Sequence, residues 1–91
     1  MAQYEFSTEK NAWLQEHRRI CFEEIILAIE NGHLLEIIEH LNQERYPNQK
    51  MYAVDIDGYV HLVPFIHKNE QTVFLKTIFK SRKMTRHYLG R

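Results

Sequence analysis

The residues best suited to chemistry stand close together at one end of the chain, in Ser81-Arg82-Lys83-Met84-Thr85-Arg86-His87-Tyr88. On a helix, Arg82 and Arg86 project from one face, and Lys83 and His87 form a second pair beside them. Like charges four apart destabilise an isolated helix by a few tenths of a kcal/mol. A bound phosphate reverses the sign of that effect, and guanidinium groups suit two-pronged phosphate contacts. Arg82 and Lys83 also fall in the first helical turn, where the backbone dipole favours anions over cations. This arrangement is poor for helix stability and good for holding a phosphate. His87 adds a group that titrates near neutral pH and can transfer a proton. The plain structural reading is a solvated face paired with the chain's many glutamates.

Other chemistries find less support. The six histidines, at positions 17, 33, 40, 61, 67 and 87, form no His-x3-His pair, and Cys21 is alone, so no metal is expected. Three isolated glycines make neither a P-loop nor a dinucleotide fingerprint, so no cofactor is expected either. Cys21, between Ile20 and Phe22, reads as a core residue rather than a nucleophile, and a lone cysteine suits a reducing compartment. Glu36 and Glu39 could act as paired acids, but glutamate is common throughout this chain.

Charge distribution sharpens the case. The formal net charge is +0, yet all twelve acids and six of the twelve Lys/Arg precede Lys76. The other six cations are Lys76, Lys80, Arg82, Lys83, Arg86 and Arg91, with no acid among them. Such asymmetry points to an anionic partner at the basic end. Glu5, Glu9 and Lys10 interrupt any leader-like run, and no apolar stretch is long enough to span a bilayer. A cytoplasmic protein with no membrane contact is therefore expected.

The elements that must position these residues can be read in order. The 91 residues show no linker or repeat, which predicts a single domain over 1–91. A weak strand, Tyr4 to Phe6, precedes a first helix, capped by Ser7 or Thr8 and running to about Arg18. Phe22, Ile25, Ile26 and Ile29 fall at helical spacing in a second helix that Asn31-Gly32 ends. Strands follow at Leu34–Leu41, Met51–Ile56, Tyr59–His67 and Thr72–Phe79, with Asp57-Gly58 as a two-residue hairpin turn. Ser81 caps a last helix, Arg82–Leu89. The expected fold is α+β: two N-terminal helices packed on a four-stranded, largely antiparallel sheet, with a short C-terminal helix.

Pairing the hairpin sets Ile56 opposite Tyr59, Val54 opposite His61 and Tyr52 opposite Val63. One sheet face then carries Met51, Ala53, Val60, Leu62, Pro64 and Ile66. A four-residue second loop adds Val73, Leu75 and Phe79, and this face is expected to pack on the helices. The opposite face carries Lys50, Tyr52, His61 and Lys76 among Val54, Val63, Phe65, Phe74 and Ile78. With Lys80, these cations and rings are what an RNA-binding sheet surface offers. Pro64 removes a ladder donor and marks an edge or a bulge.

Two segments resemble the BrnT-type toxins. Phe6-Ser7-Thr8-Glu9-Lys10-Asn11 with Trp13-Leu14, and then His17-Arg18-Arg19-Ile20-Cys21-Phe22-Glu23-Glu24, look like that family's N-terminal signature. Ser81-Arg82-Lys83-Met84-Thr85-Arg86-His87-Tyr88 is similar to its closing motif. Arg19 stands where the family usually carries Gly. The resemblance implies a RelE-like fold and metal-independent cleavage of RNA, messenger RNA foremost. It also implies a ribbon-helix-helix antitoxin as partner, through which the complex binds operator DNA. Matched by position, Arg82, Lys83 and Arg86 fall at the active site, with His87, His61 or Lys83 as candidates to move the proton. The alternative is a non-catalytic RNA- or protein-binding module, either a degenerate toxin or a co-repressor subunit.

Overall fold

A computed structural model describes residues 3–91; the first two residues of the expected domain lie outside it. The elements run β1 (Gln3–Phe6), α1 (Thr8–Arg18), α2 (Phe22–Glu30), β2 (Leu34–Glu39), β3 (Lys50–Ile56), β4 (Tyr59–His67), β5 (Thr72–Leu75), β6 (Phe79–Lys80) and α3 (Arg82–Leu89). The class is α+β, but the expected four-stranded sheet is corrected to a six-stranded mixed one, ordered β1-β5-β4-β3-β2 with β6 also on β4. None of the helices described is long and apolar enough to cross a membrane.

Two pairings account for the extra strands. The short N-terminal segment pairs parallel to β5, Tyr4 beside Val73 and Phe6 beside Leu75, and so becomes an edge strand. The run expected as one strand from Thr72 to Phe79 breaks at Lys76-Thr77-Ile78 into β5 and β6, both antiparallel to β4. Pro64 lies opposite this break, where its carbonyl accepts from the Lys76 N–H at 2.8 Å. In a strand the N and O of a residue point toward the same neighbour, so the donor that proline lacks faces the interruption.

The first hairpin has the expected register, with Ile56 opposite Tyr59 and Val54 opposite His61. The second does not. Asn69 folds the connection by accepting from the Gln71 and Thr72 N–H groups, each at 2.9 Å, and His67 pairs with Val73 rather than Thr72. That single step moves Val73 and Leu75 to the other face, because side chains alternate with period two.

The faces are also exchanged relative to expectation. Tyr52, Val54, Val63, Phe65, Val73 and Leu75 form the main core with Leu14, Phe22 and Ile25 of the N-terminal helices. Met51, Ala53, Val60 and Leu62 form a second core under Phe79, Met84, Tyr88 and Leu89. Helices therefore cover both faces, and the open nucleic-acid-binding face expected around Tyr52 does not exist. Tyr52 is buried, stacked on Phe65 with ring centroids 4.1 Å apart.

Two polar ties fix the helices. Asn11 donates to Glu23 Oε1 and accepts from the Phe22 N–H, both at 2.7 Å, which joins α1 to the first turn of α2. The buried Thr85 hydroxyl accepts from the Val60 N–H at 2.8 Å and donates to the Ser81 carbonyl at 2.7 Å. It thereby locks α3 onto β4 beyond the end of β6.

Candidate functional site

The end of α1 meets the β4–β6 pair in a basic cleft. Ser7 starts α1 by accepting from the Lys10 N–H at 3.1 Å, and the helix ends at Arg19, which adopts left-handed geometry at φ 56. Arg18 is anchored by donating to the Ile78 carbonyl at 2.6 Å, in the break between β5 and β6. Trp13 supports it from behind, with the Arg18 guanidinium 5.0 Å and the Lys10 ammonium 4.4 Å from the ring centre. The strand break, which sequence periodicity does not announce, thus supplies the acceptor that orients an arginine.

Arg18, Arg19, His61 and Lys80 line a concavity of about 470 Å³ that His17 and Phe79 complete. The same four residues line an adjoining space of about 320 Å³, whose far wall is Tyr59, Asp57 and Glu24. Lys80 pairs across the ladder with His61 and holds its ammonium 5.6 Å from the Tyr59 ring centre. Among the described residues the one ion pair is Lys68–Glu5, remote from this cleft in sequence. The cleft cations therefore keep their charge available to a ligand.

His61 is the titratable group at the centre. It is 5% exposed, and its Nδ1 lies 3.0 Å from the Tyr59 carbonyl oxygen. A carbonyl only accepts, so this contact puts the hydrogen on Nδ1 and leaves Nε2 with a lone pair in the neutral ring. Burial holds the imidazole below its ordinary value of 6.5, and the Lys80 charge adds to this. The Tyr59 carbonyl, Glu24 and Asp57 pull the other way and do not reverse it. A neutral ring with a free nitrogen beside three cations suits proton abstraction next to a phosphate.

The other residues singled out from sequence are dispersed. Arg82 and Arg86 line a further concavity of about 500 Å³ with Asp57, Gly58, Tyr59 and Arg91. Lys83 and His87 are exposed and belong to none of these three spaces, and the His87 ring packs edge-on against Tyr88. The expected catalytic set on α3 is thus not assembled at one point. Of the expected RNA-binding residues, His61 and Lys80 enter the cleft and Tyr52 is in the core. Lys50 is exposed at the start of β3, and Lys76 lines a separate space with His40 and Tyr46.

Arg18, Arg19 and Tyr59 join the site without having been singled out for it. The adjacent Arg18-Arg19 pair at a helix end was the available signal. Cys21 is buried at the cap of α2, with its thiol donating to Glu24 and pushed up chiefly by burial, which suits a core role. Among the described residues no three His, Cys, Asp or Glu side chains converge as metal ligands.

No protein-family model matches this chain, and comparison with curated proteins gives no match.

Proposed function

We propose that the protein is a metal-independent endoribonuclease of the toxin–antitoxin type, cleaving RNA in the cleft between α1 and the β4–β6 pair. One observation carries this reading: a buried imidazole, held through Nδ1 by the Tyr59 carbonyl, lines a cleft with Arg18, Arg19 and Lys80, none of which is paired with a carboxylate. Arg18, Arg19 and Lys80 hold the scissile phosphate. Nε2 of His61 takes the proton from the adjacent 2′-hydroxyl, whose oxygen then attacks phosphorus. The P–O5′ bond breaks, the 5′ oxygen takes a proton from solvent, and the products carry a 2′,3′-cyclic phosphate and a 5′-hydroxyl. The cations stabilise the extra negative charge that develops on the phosphoryl oxygens. The resemblance of the two sequence segments to BrnT-type toxins supports messenger RNA as substrate and a ribbon-helix-helix antitoxin as partner, with operator DNA bound through the antitoxin.

The test is cleavage of end-labelled RNA by the purified chain in the presence of a chelator. Expected are cyclic-phosphate ends from the wild type and a loss of about 10²-fold or more in rate for His61→Gln or for Arg18→Ala with Arg19→Ala. Induced expression should arrest growth, and co-expression of the antitoxin should relieve it. Full cleavage by His61→Gln would remove the proposed base, and RNA binding without any cleavage would leave a binding module.

A further inference from the structure

The cavity beside α3 has the character of an anion site that the chemistry above leaves unused. Arg82, Arg86 and Arg91 converge on it, and among the described residues none of their guanidinium groups lies within ion-pair distance of a carboxylate. Asp57 also lines the space, outside that distance. The Arg91 guanidinium packs directly on Gly58, its Nη1 2.8 Å from the point a Cβ would occupy there. The helix that carries the exposed Arg82 and Arg86 is held in place, because Thr85 between them is buried and bonded to both β4 and Ser81. Arg82 and Arg86 repel one another at helical spacing until an anion lies between them. The cavity neighbours the space beside His61, since Tyr59 and Asp57 line both.

We propose that Arg82, Arg86 and Arg91 form a second phosphate subsite, which binds the flanking backbone of a single-stranded RNA whose scissile phosphate lies in the His61 cleft. This inference rests on the ribonuclease reading and names its substrate as a polynucleotide. Tyr59, half-buried between the two cavities, presents an aromatic ring where an intervening base would stack. Arginines on α3 thereby set affinity and the length of RNA bound, while His61 serves the chemistry.

The experiment measures binding of non-cleavable 2′-O-methyl oligoribonucleotides of increasing length, from a dinucleotide to an octamer, over a series of salt concentrations. For the wild type, affinity rises at least tenfold from dinucleotide to octamer. Arg82→Ala with Arg86→Ala flattens that rise and makes the log–log salt slope shallower by about 0.7 for each phosphate no longer neutralised. Arg91→Ala, on a residue outside the helix, gives the same effect in part and guards against a helix that fails to form. Equal affinity for all lengths, or an unchanged rise in both variants, overturns the subsite. Competition by an acidic peptide as effective as the octamer also overturns it and assigns the cavity to a protein partner. If the RNA is never cleaved but the length dependence and its loss are observed, the ribonuclease reading fails and the subsite stands.

Discussion

The imidazole of His61 is fixed by one hydrogen bond and protected by burial, and both facts have measurable consequences. Its pKa lies below 6.5 in the folded chain, chiefly through desolvation. Well above 6.5 the ring is neutral in both folded and unfolded chains and adds no pH dependence. As pH falls through the window between 6.5 and the lower folded value, the unfolded chain takes up a proton first. Stability therefore drops across that window and levels off below it. Urea titrations from pH 7.5 to 5 should show this decline in the wild type and a shallower one in His61→Gln. Cleavage should fall over the acid side of the same range, because protonated Nε2 cannot accept the 2′-hydroxyl proton. In the sequence His61 stood on an expected open sheet face and was one of three candidates, with His87 and Lys83, to move the proton. Its actual value comes from α1 covering that face, a tertiary effect that strand alternation alone does not disclose.

Among the elements, α3 joins an apolar contact, made by Met84, Tyr88 and Leu89, to a buried polar tie at Thr85. Thr85→Val keeps the shape of the side chain but leaves the buried Val60 N–H without its acceptor. A loss of about 1–3 kcal/mol is expected by chemical denaturation, with Thr85→Ser restoring most of it. The boundaries of α1, α2 and α3 and the Asp57-Gly58 hairpin were legible because caps, helical spacing and turn chemistry are local signals. The parallel pairing of β1 with β5 was not, since it joins segments nearly seventy residues apart in sequence. The division of β5 from β6 was hidden as well. Phe74, Leu75, Ile78 and Phe79 read as one apolar run, and only the partner strand, with Pro64 opposite, reveals the interruption. The N-terminal tie made by Asn11 was present as a motif residue, and its bond to α2 gives it a structural role.

For the molecule as a whole, charge is left largely unpaired, with one ion pair among the described residues. Acids such as Glu23, Glu30, Glu36 and Glu39 belong to α2 and β2; Arg18, Arg19, Lys80 and the α3 arginines border neighbouring cavities whose lining also includes Glu24 and Asp57. The charge asymmetry was evident in the sequence, but the contribution of Arg18 and Arg19 from the acidic half was not. Raising salt should weaken RNA binding steeply while barely moving the melting temperature, because the one ion pair among the described residues is half-exposed and already screened. Arg19 exposes a trade between robustness and activity. Its left-handed cap is the geometry glycine adopts freely, and a larger residue there costs about 1 kcal/mol. Arg19→Gly should accordingly melt later and cleave more slowly. The backbone strain at the end of α1 is thus the cost of placing a cation where a side-chain-free residue would sit at ease.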